Sequence, residues 1–417
     1  MLKSAVIAFL VVLSLGNSFS QNSRQAKVGV IDLSDLKFSH QEIIPLIGQW
    51  EFYWHHLLSS DDSIRAMIPD LKYMVVPNVW SFYDLPSKGY GTYRLKMLLH
   101  EDVDRLTLLV PNVYSAYRLF VNGEIKAENG QVGNSRASTQ PDWEEKLVHL
   151  EGLNKEVELL LQVANFHHSR GGVHKPILVG SFEDILKHRE LITFGDTFFL
   201  GGLILMAAYF LTFFIFRSKL RQYLYFSCLC FFWAIRVVIA HDYLVNNLFP
   251  DMSWNVSLRL EYLSLYLSFL MGMLFIHHVF QYSKVLFTGI LNIINFIFIV
   301  SALVLPTDIF TLLLKGFFIF AGLGLINALY VIIQAIYKKQ PEAWFSATGI
   351  AVGVVIFFIE YIAYNHSSII NLLYLNMAYL AVFFINGLVL IHGFVQAHHR
   401  IDTLESERSS LYRIHGR

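Results

Sequence analysis

Residues 197–216 read TFFLGGLILMAAYFLTFFIF, and residues 217–221 follow as RSKLR. An apolar run of that length is what a helix needs to cross a hydrocarbon core of about 30 Å. The basic residues after it, Arg217, Lys219 and Arg221, mark the cytoplasmic side, because short cytoplasmic loops collect Lys and Arg. Toward the C-terminus further apolar stretches lie at Tyr223–Ala240, Ser257–Val279, Phe287–Leu305, Thr311–Tyr337, Trp344–Tyr364 and Ile370–Val395. The odd-numbered loops also hold Lys284, Lys338 and Lys339, whereas Asp242, Asp251 and Asp308 lie in the second and fourth loops, which have neither Lys nor Arg. Seven membrane helices are therefore predicted, with the segment before them outside and the C-terminus inside.

Composition agrees with this division. The 417 residues are 55% hydrophobic and only 15% charged, and the apolar excess is concentrated in 191–396. A net charge of zero excludes a global basic field, so no nucleic-acid partner is expected. The cysteines, Cys228 and Cys230, fall inside a span, so no disulfide framework supports the outer segment. Lys3, the short apolar run Ala5–Leu15 and Ser18-Phe19-Ser20 have the layout of a secretory signal over residues 1–20. The expected domains are a signal peptide (1–20), an extracytoplasmic sensor (21–190), a seven-helix membrane domain (191–396) and a cytoplasmic signalling helix (397–417).

Residues 28–180 alternate with a period of two, as half-buried strands do. Trp50, Phe52 and Trp54 share one face, and Tyr93, Leu95, Met97 and Leu99 share another. Arg105–Val121 reads as one or two strands, and Asn122-Gly123 after it predicts a tight type I′ hairpin. Further strands are expected at Val157–Val163 and Ile177–Val179. The predicted class is an all-β jelly-roll sandwich followed by an all-α seven-helix bundle and a short cytoplasmic helix.

The strings LIGQWEFYW (46–54), VPNVW (76–80), GTYRLKMLL (91–99) and LFVNGEIKAENGQVG (119–133) resemble the galactose-binding-like jelly roll that precedes many glycoside hydrolases. Together with QVANFHHSRGGVHKPILVG (162–180) and the spans, the chain is similar to the bacterial seven-transmembrane receptors with diverse intracellular signalling modules (7TMR-DISM). That resemblance implies a sensor relaying an outside signal to a cytoplasmic output, commonly a kinase, cyclase or DNA-binding domain. The output is expected in a separate cytoplasmic partner or in a domain beyond Arg417.

Sugar-binding jelly rolls use aromatic faces with polar side chains for the hydroxyls. Trp80, Tyr83, Tyr90, His167, His168 and Arg170 have suitable chemistry in predicted loops, and Gly171-Gly172 would let backbone approach a ligand. The competing reading of 167–172 is a tight turn facing the membrane domain. Hydrolysis would need two carboxylates across a cleft; Glu51, Asp61, Asp62, Glu144 and Glu145 show no such pairing by spacing, and no G-x-S-x-G elbow occurs. Adjacent histidines at 55–56, 167–168, 277–278 and 398–399 point apart and make poor metal sites. No enzyme activity, cofactor or metal is expected.

Charged residues within spans are costly and commonly face the bundle interior. Arg236, Arg259, Glu261 and Glu360 fall at similar depth in the outer third, with Asp196 and Asn376 near them. They are expected to form an ion-paired cluster, either a structural lock or a polar pocket coupling the outer domain to the helices. A transporter pathway is the alternative, although the inner halves are far less polar. From Phe394 to His415 there is neither Gly nor Pro, so the last helix is predicted to run on into the cytoplasm. Ile401, Leu404 and Leu411 give it a short heptad pattern suited to a homodimer. The expected function is a membrane receptor for a carbohydrate or small carboxylated metabolite. A passively anchored carbohydrate-binding module is a further alternative.

Overall fold

The computed structural model describes residues 24–38, 42–59, 71–240, 242–280, 285–340, 342–366 and 372–415. The expected signal segment, Asp61, Asp62 and Lys284 lie outside the described residues.

The N-terminal part is a β sandwich. Its larger sheet runs in the order β1 (Gln25–Ala26), β4 (Ile47–Trp54), β7 (Gly89–Leu99), β12 (Glu156–Asn165), β9 (Ala116–Val121) and β10 (Glu124–Asn129). Strand β2 (Val30–Leu33) also pairs with β7, and β5 (Lys72–Val76) with β4. The smaller sheet has the order β11 (Lys146–Glu151), β8 (Arg105–Val110), β14 (Leu178–Gly180), β3 (Ile43–Pro45). Short β6 (Asn78–Val79) and β13 (Gly172–Val173) form a separate pair.

Alternation explains the core. Tyr93, Leu95, Met97 and Leu99 of β7 and Leu159, Leu161 and Val163 of β12 turn inward to meet Leu106, Leu108 and Val110 of β8. On the other face of the large sheet, Arg94 bridges Glu51 at 2.9 Å and Glu158 at 2.7 Å, tying three neighbouring strands together. Val121 pairs with Glu124, and Asn122 and Gly123 take φ values of 49° and 85°, as the hairpin reading required.

The Gly171 corner is closely packed. A Cβ there would lie 2.4 Å from both the Ser87 carbonyl oxygen and the Trp80 ring. Gly171→Ala is expected to lose about 1–3 kcal/mol of stability in thermal unfolding. Gly316→Ala, whose Cβ would meet nothing within 4 Å, is expected to lose none.

Among the described residues, seven helices are long and apolar enough to cross a membrane. They are α1 (Phe182–Phe216), α2 (Arg221–Ala240), α4 (Trp254–Phe280), α5 (Val285–Val304), α7 (Leu314–Tyr337), α8 (Ala343–His366) and α9 (Leu372–His415). Two short helices, α3 (Asp242–Leu248) and α6 (Thr307–Phe310), lie between spans. The spans close a ring in which α2 packs between α1 and α4, and α9 between α1 and α8. Ser227 donates to the Ala207 carbonyl at 2.7 Å and Asn295 to that of Tyr266 at 2.9 Å, so buried polar groups join neighbouring helices. Leu205, Phe216, Ile293, Val304 and Ile319 are exposed on the bundle's outside, as lipid-facing side chains are.

Helix α1 starts inside the segment that apolarity assigned to the outer domain. Ser181 caps it, accepting from the Asp184 amide at 3.1 Å, with Glu183 and Asp184 in the first turn. The polar first turns hid this start from a reading based on hydropathy. At 1.5 Å per residue α1 is roughly 52 Å long, more than a bilayer core requires, so its start stands beside the sandwich.

Candidate functional site

The turn after β12 is seated on the helices. The Asn165 side-chain amide donates to the carbonyls of Ser87, His168 and Arg170, at 2.7, 2.9 and 3.0 Å, and so holds the turn in shape. Thr307 donates its hydroxyl to the His167 carbonyl at 2.7 Å, and the Ser169 amide donates to Thr311 Oγ1 at 3.1 Å. The Arg170 guanidinium lies over the Tyr364 ring at 4.0 Å and over Tyr114 at 5.4 Å. Beside the turn, Asp308 of α6 accepts from Lys88 at 2.5 Å and sits 3.4 Å from Arg136. Burial pushes the Asp308 carboxyl upward, but those two cations hold it below the usual carboxylate range.

Under this seat is a cavity of about 1040 Å³. Its roof is a stack of rings from the sandwich. Tyr114 lies 4.6 Å from His168 at an interplanar angle of 6°, and 3.8 Å from His174 at 21°. His168 Nδ1 meets the Arg170 backbone twice, 3.1 Å from its amide and 3.3 Å from its carbonyl oxygen, so a ring with a lone pair there accepts from the amide and one protonated there donates to the carbonyl. Burial lowers the His168 pKa to about 3. His174 is also held well below its ordinary value, first by burial and then by Lys175 and Arg170. Burial raises the Tyr114 hydroxyl, while Arg170 opposes the shift.

From the bundle, Asp196, Arg236, Glu261 and Glu360 line the same cavity. Asp196 accepts from Asn376 at 2.5 Å, and Tyr379 hydrogen-bonds Glu360. Arg236 donates to the backbone carbonyl of Glu261 at 3.3 Å. Further from the sandwich the walls become apolar, with Leu265, Phe269, Met273, Phe317 and Phe357.

The residues singled out in the sequence therefore separate. Trp80 is 0% exposed in the sandwich core and donates to the Tyr93 hydroxyl at 2.7 Å, so its ring packs the interior instead of facing a ligand. Tyr83 accepts from the Val75 amide at 2.6 Å, and Tyr90 stands 5.2 Å from the His55 ring. His167 contacts the Thr139 carbonyl at 3.0 Å and packs edge-on to Trp254. His168 and Arg170 are the two that reach the cavity. Of the intramembrane residues, Arg259 stands apart: it donates to the carbonyls of Ala302, Leu303 and Leu305 at the C-terminal end of α5 and lies over Phe310. Among the described residues no ion pair joins Arg236, Arg259 and Glu360, because each finds another partner. Glu51 and Glu145 face Arg94 and Arg189, and Glu144 faces Lys146.

Tyr114 was missed, although VPNV followed by an aromatic occurs at both 76–80 and 110–114. Its φ of 68° is a left-handed conformation costing a non-glycine residue of order 1 kcal/mol.

Solved structures similar to about a third of the chain include a GH2 beta-galacturonidase from Eisenbergiella tayi bound to galacturonate (13% identity, 34% of this chain, 24% of that one, TM-score 0.25). A beta-glucuronidase from an uncultured Clostridium sp. gives 16% identity, 34% and 29% coverage and a TM-score of 0.26. A β-glucuronidase from Ruminococcus gnavus in complex with D-glucuronic acid gives 11% identity, 33% and 29% coverage and a TM-score of 0.25. The chain spans less than a third of the length of each of these structures. No curated protein matches the sequence. The model of the family described as 7TM diverse intracellular signalling matches residues 192–395, which take in the seven spans save the start of α1 and the end of α9. A β sandwich leads directly into those helices, and the membrane domain of this multi-pass protein belongs to the 7TM diverse intracellular signalling family.

Proposed function

We propose that this chain is a receptor of a bacterial inner membrane, with the sandwich outside and the end of α9 in the cytoplasm. It senses a small extracytoplasmic molecule, a sugar or a carboxylated metabolite, and passes that event through the helices to a cytoplasmic partner or an attached output domain. The reading rests on one observation: the 167–170 turn engages α6, Thr311 and Tyr364 at once, so a shift of the sandwich must pull on the bundle. Helix α9 continues without a break to His415, which supplies the lever on the far side. The apolar walls below Glu261 and Glu360 weigh against an ion pathway.

Spin labels at Lys219 and Leu404, both exposed, test the relay in nanodiscs with Cys228 and Cys230 replaced by Ala. Arg170→Ala, and separately Asp308→Asn, is expected to move the label-to-label distance by about 2 Å or more, the size of helix shifts in switching proteins. An unchanged distance distribution in both folded variants would mean that the docking is passive.

A further inference from the structure

The cavity has the shape and chemistry of a site for an amphiphile. Along α4 its lining follows one helical face: Glu261, Leu265, Ser268, Gly272 and Ile276. At 1.5 Å per residue that face is roughly 22 Å long, most of a hydrocarbon core. Opposite it, α7 contributes Phe317, Ala321, Gly324 and Ala328, and α8 contributes Ile350, Gly353 and Phe357, each again on one helical face. Small residues keep the bore open. A Cβ at Gly353 would meet nothing within 4 Å, whereas one at Gly324 would lie 2.2 Å from the Phe269 ring.

Four carboxylates line the cavity together with the arginines, those of Glu145, Asp196, Glu261 and Glu360. Glu360 has the Tyr379 hydroxyl, Asp196 has Asn376, and Glu145 has Arg189. Arg170 is 7% exposed and rests on two aromatic rings, and Arg236 holds one backbone carbonyl. Neither guanidinium has a carboxylate partner among the described residues. His174 Nδ1, buried beside them, has no hydrogen-bond partner in the described structure. Two planar cations at the head of a long apolar bore are complementary to an acid carrying one alkyl chain.

We propose that the cavity binds a single-chain amphiphile with an anionic head. The head is held by Arg170 and Arg236, and the chain runs down between α4, α7 and α8. The binding site stands on its own geometry; only its effect on signalling rests on the receptor reading above.

The test is photo-cross-linking of palmitate carrying a mid-chain diazirine, with the full chain in dioleoylphosphatidylcholine nanodiscs. Label is expected on the bore-lining peptides of α4 and α7, competed by palmitate and at least tenfold less by methyl palmitate. Lysophosphatidate and lysophosphatidylcholine, one anionic and one zwitterionic, separate a phosphate-headed lipid from a free acid: competition by lysophosphatidate alone keeps the proposal and assigns a phosphate head. Gly353→Phe is expected to reduce labelling at least tenfold by plugging the bore, with Gly353→Ala within twofold of wild type. Arg170→Gln combined with Arg236→Gln is expected to reduce it by a similar factor. Labelling of Gly353→Phe within twofold of wild type, or equal competition by methyl palmitate, overturns the proposal. If palmitate labels the bore but never moves the Lys219–Leu404 distance, the site stands and the amphiphile is not the signal that the relay carries. If Arg170→Ala moves that distance and no label enters the bore, the relay stands and the amphiphile site fails.

Discussion

Trp80→Ala is expected to destabilise the sandwich by about 3–5 kcal/mol, the usual range for removing a fully buried tryptophan. The ring is 0% exposed, meets Trp54 edge-on at 4.9 Å and lies 6.5 Å from Phe52. Truncation also leaves the Tyr93 hydroxyl without its indole donor in a place where water has no access. A further loss follows at the seat itself, because the Trp80 amide donates to the Gly171 carbonyl at 2.9 Å and the ring packs on that glycine. For a domain of this size the melting temperature should fall by roughly 10 °C or more. Differential scanning calorimetry of the full chain reads it, with Trp80→Phe as the milder variant that removes only the N–H donor and part of the ring. A melting temperature unchanged in Trp80→Ala, with loss of response to a sugar, would return Trp80 to the role of a stacking platform.

The second large effect is on pH. Unfolded, His168 titrates near 6.5; folded, it is held at about 3, chiefly by burial. Between those values the unfolded chain binds the extra proton, so stability falls as the pH drops below 6.5 and the loss is complete near pH 3. Each pH unit in that window costs about 1.4 kcal/mol, so acidification from 7 to 4 should remove roughly 3 kcal/mol through His168 alone. His174, depressed in the same direction, adds to the slope. Protonating His168 would exchange acceptance from the Arg170 amide for donation to the Arg170 carbonyl, so the turn should rearrange before the sandwich core unfolds. His168→Asn keeps an acceptor near that position and is expected to flatten the pH dependence of thermal unfolding. An equal slope in wild type and variant would assign the acid sensitivity elsewhere.

Much of the architecture could be read from residue patterns, because both periodicities report burial on one side of an element. The spans, the inward face of β7 and the Asn122-Gly123 turn are local facts of that kind. The site is different. Arg236, Glu261 and Glu360 were found because charge in a span is conspicuous, and helical rise placed them at one depth. Arg259 has the same credentials by depth but faces the end of α5, since depth fixes only one of a helix's two coordinates and the azimuth comes from packing. Tyr114 and His174 come from loops, where no periodicity indicates direction. Trp80 illustrates the converse: a tryptophan in a predicted loop looked available, but its 3-10 turn at Trp80–Tyr83 folds the indole back into the core.

Strand β14 ends at Gly180, Ser181 caps the next helix, and α1 begins at Phe182. With a single residue between sheet and helix, the joint is keyed and has no swivel. The azimuth of the first span is set by the small sheet of the sandwich. One residue inserted within the first turns of α1 would turn everything below it by about 100° and lower it by 1.5 Å. A chimera that exchanges the sandwich for another is therefore constrained less by sequence than by phase: the incoming strand must deliver the helix at the same angle, or the first span will present a different stripe to its neighbours.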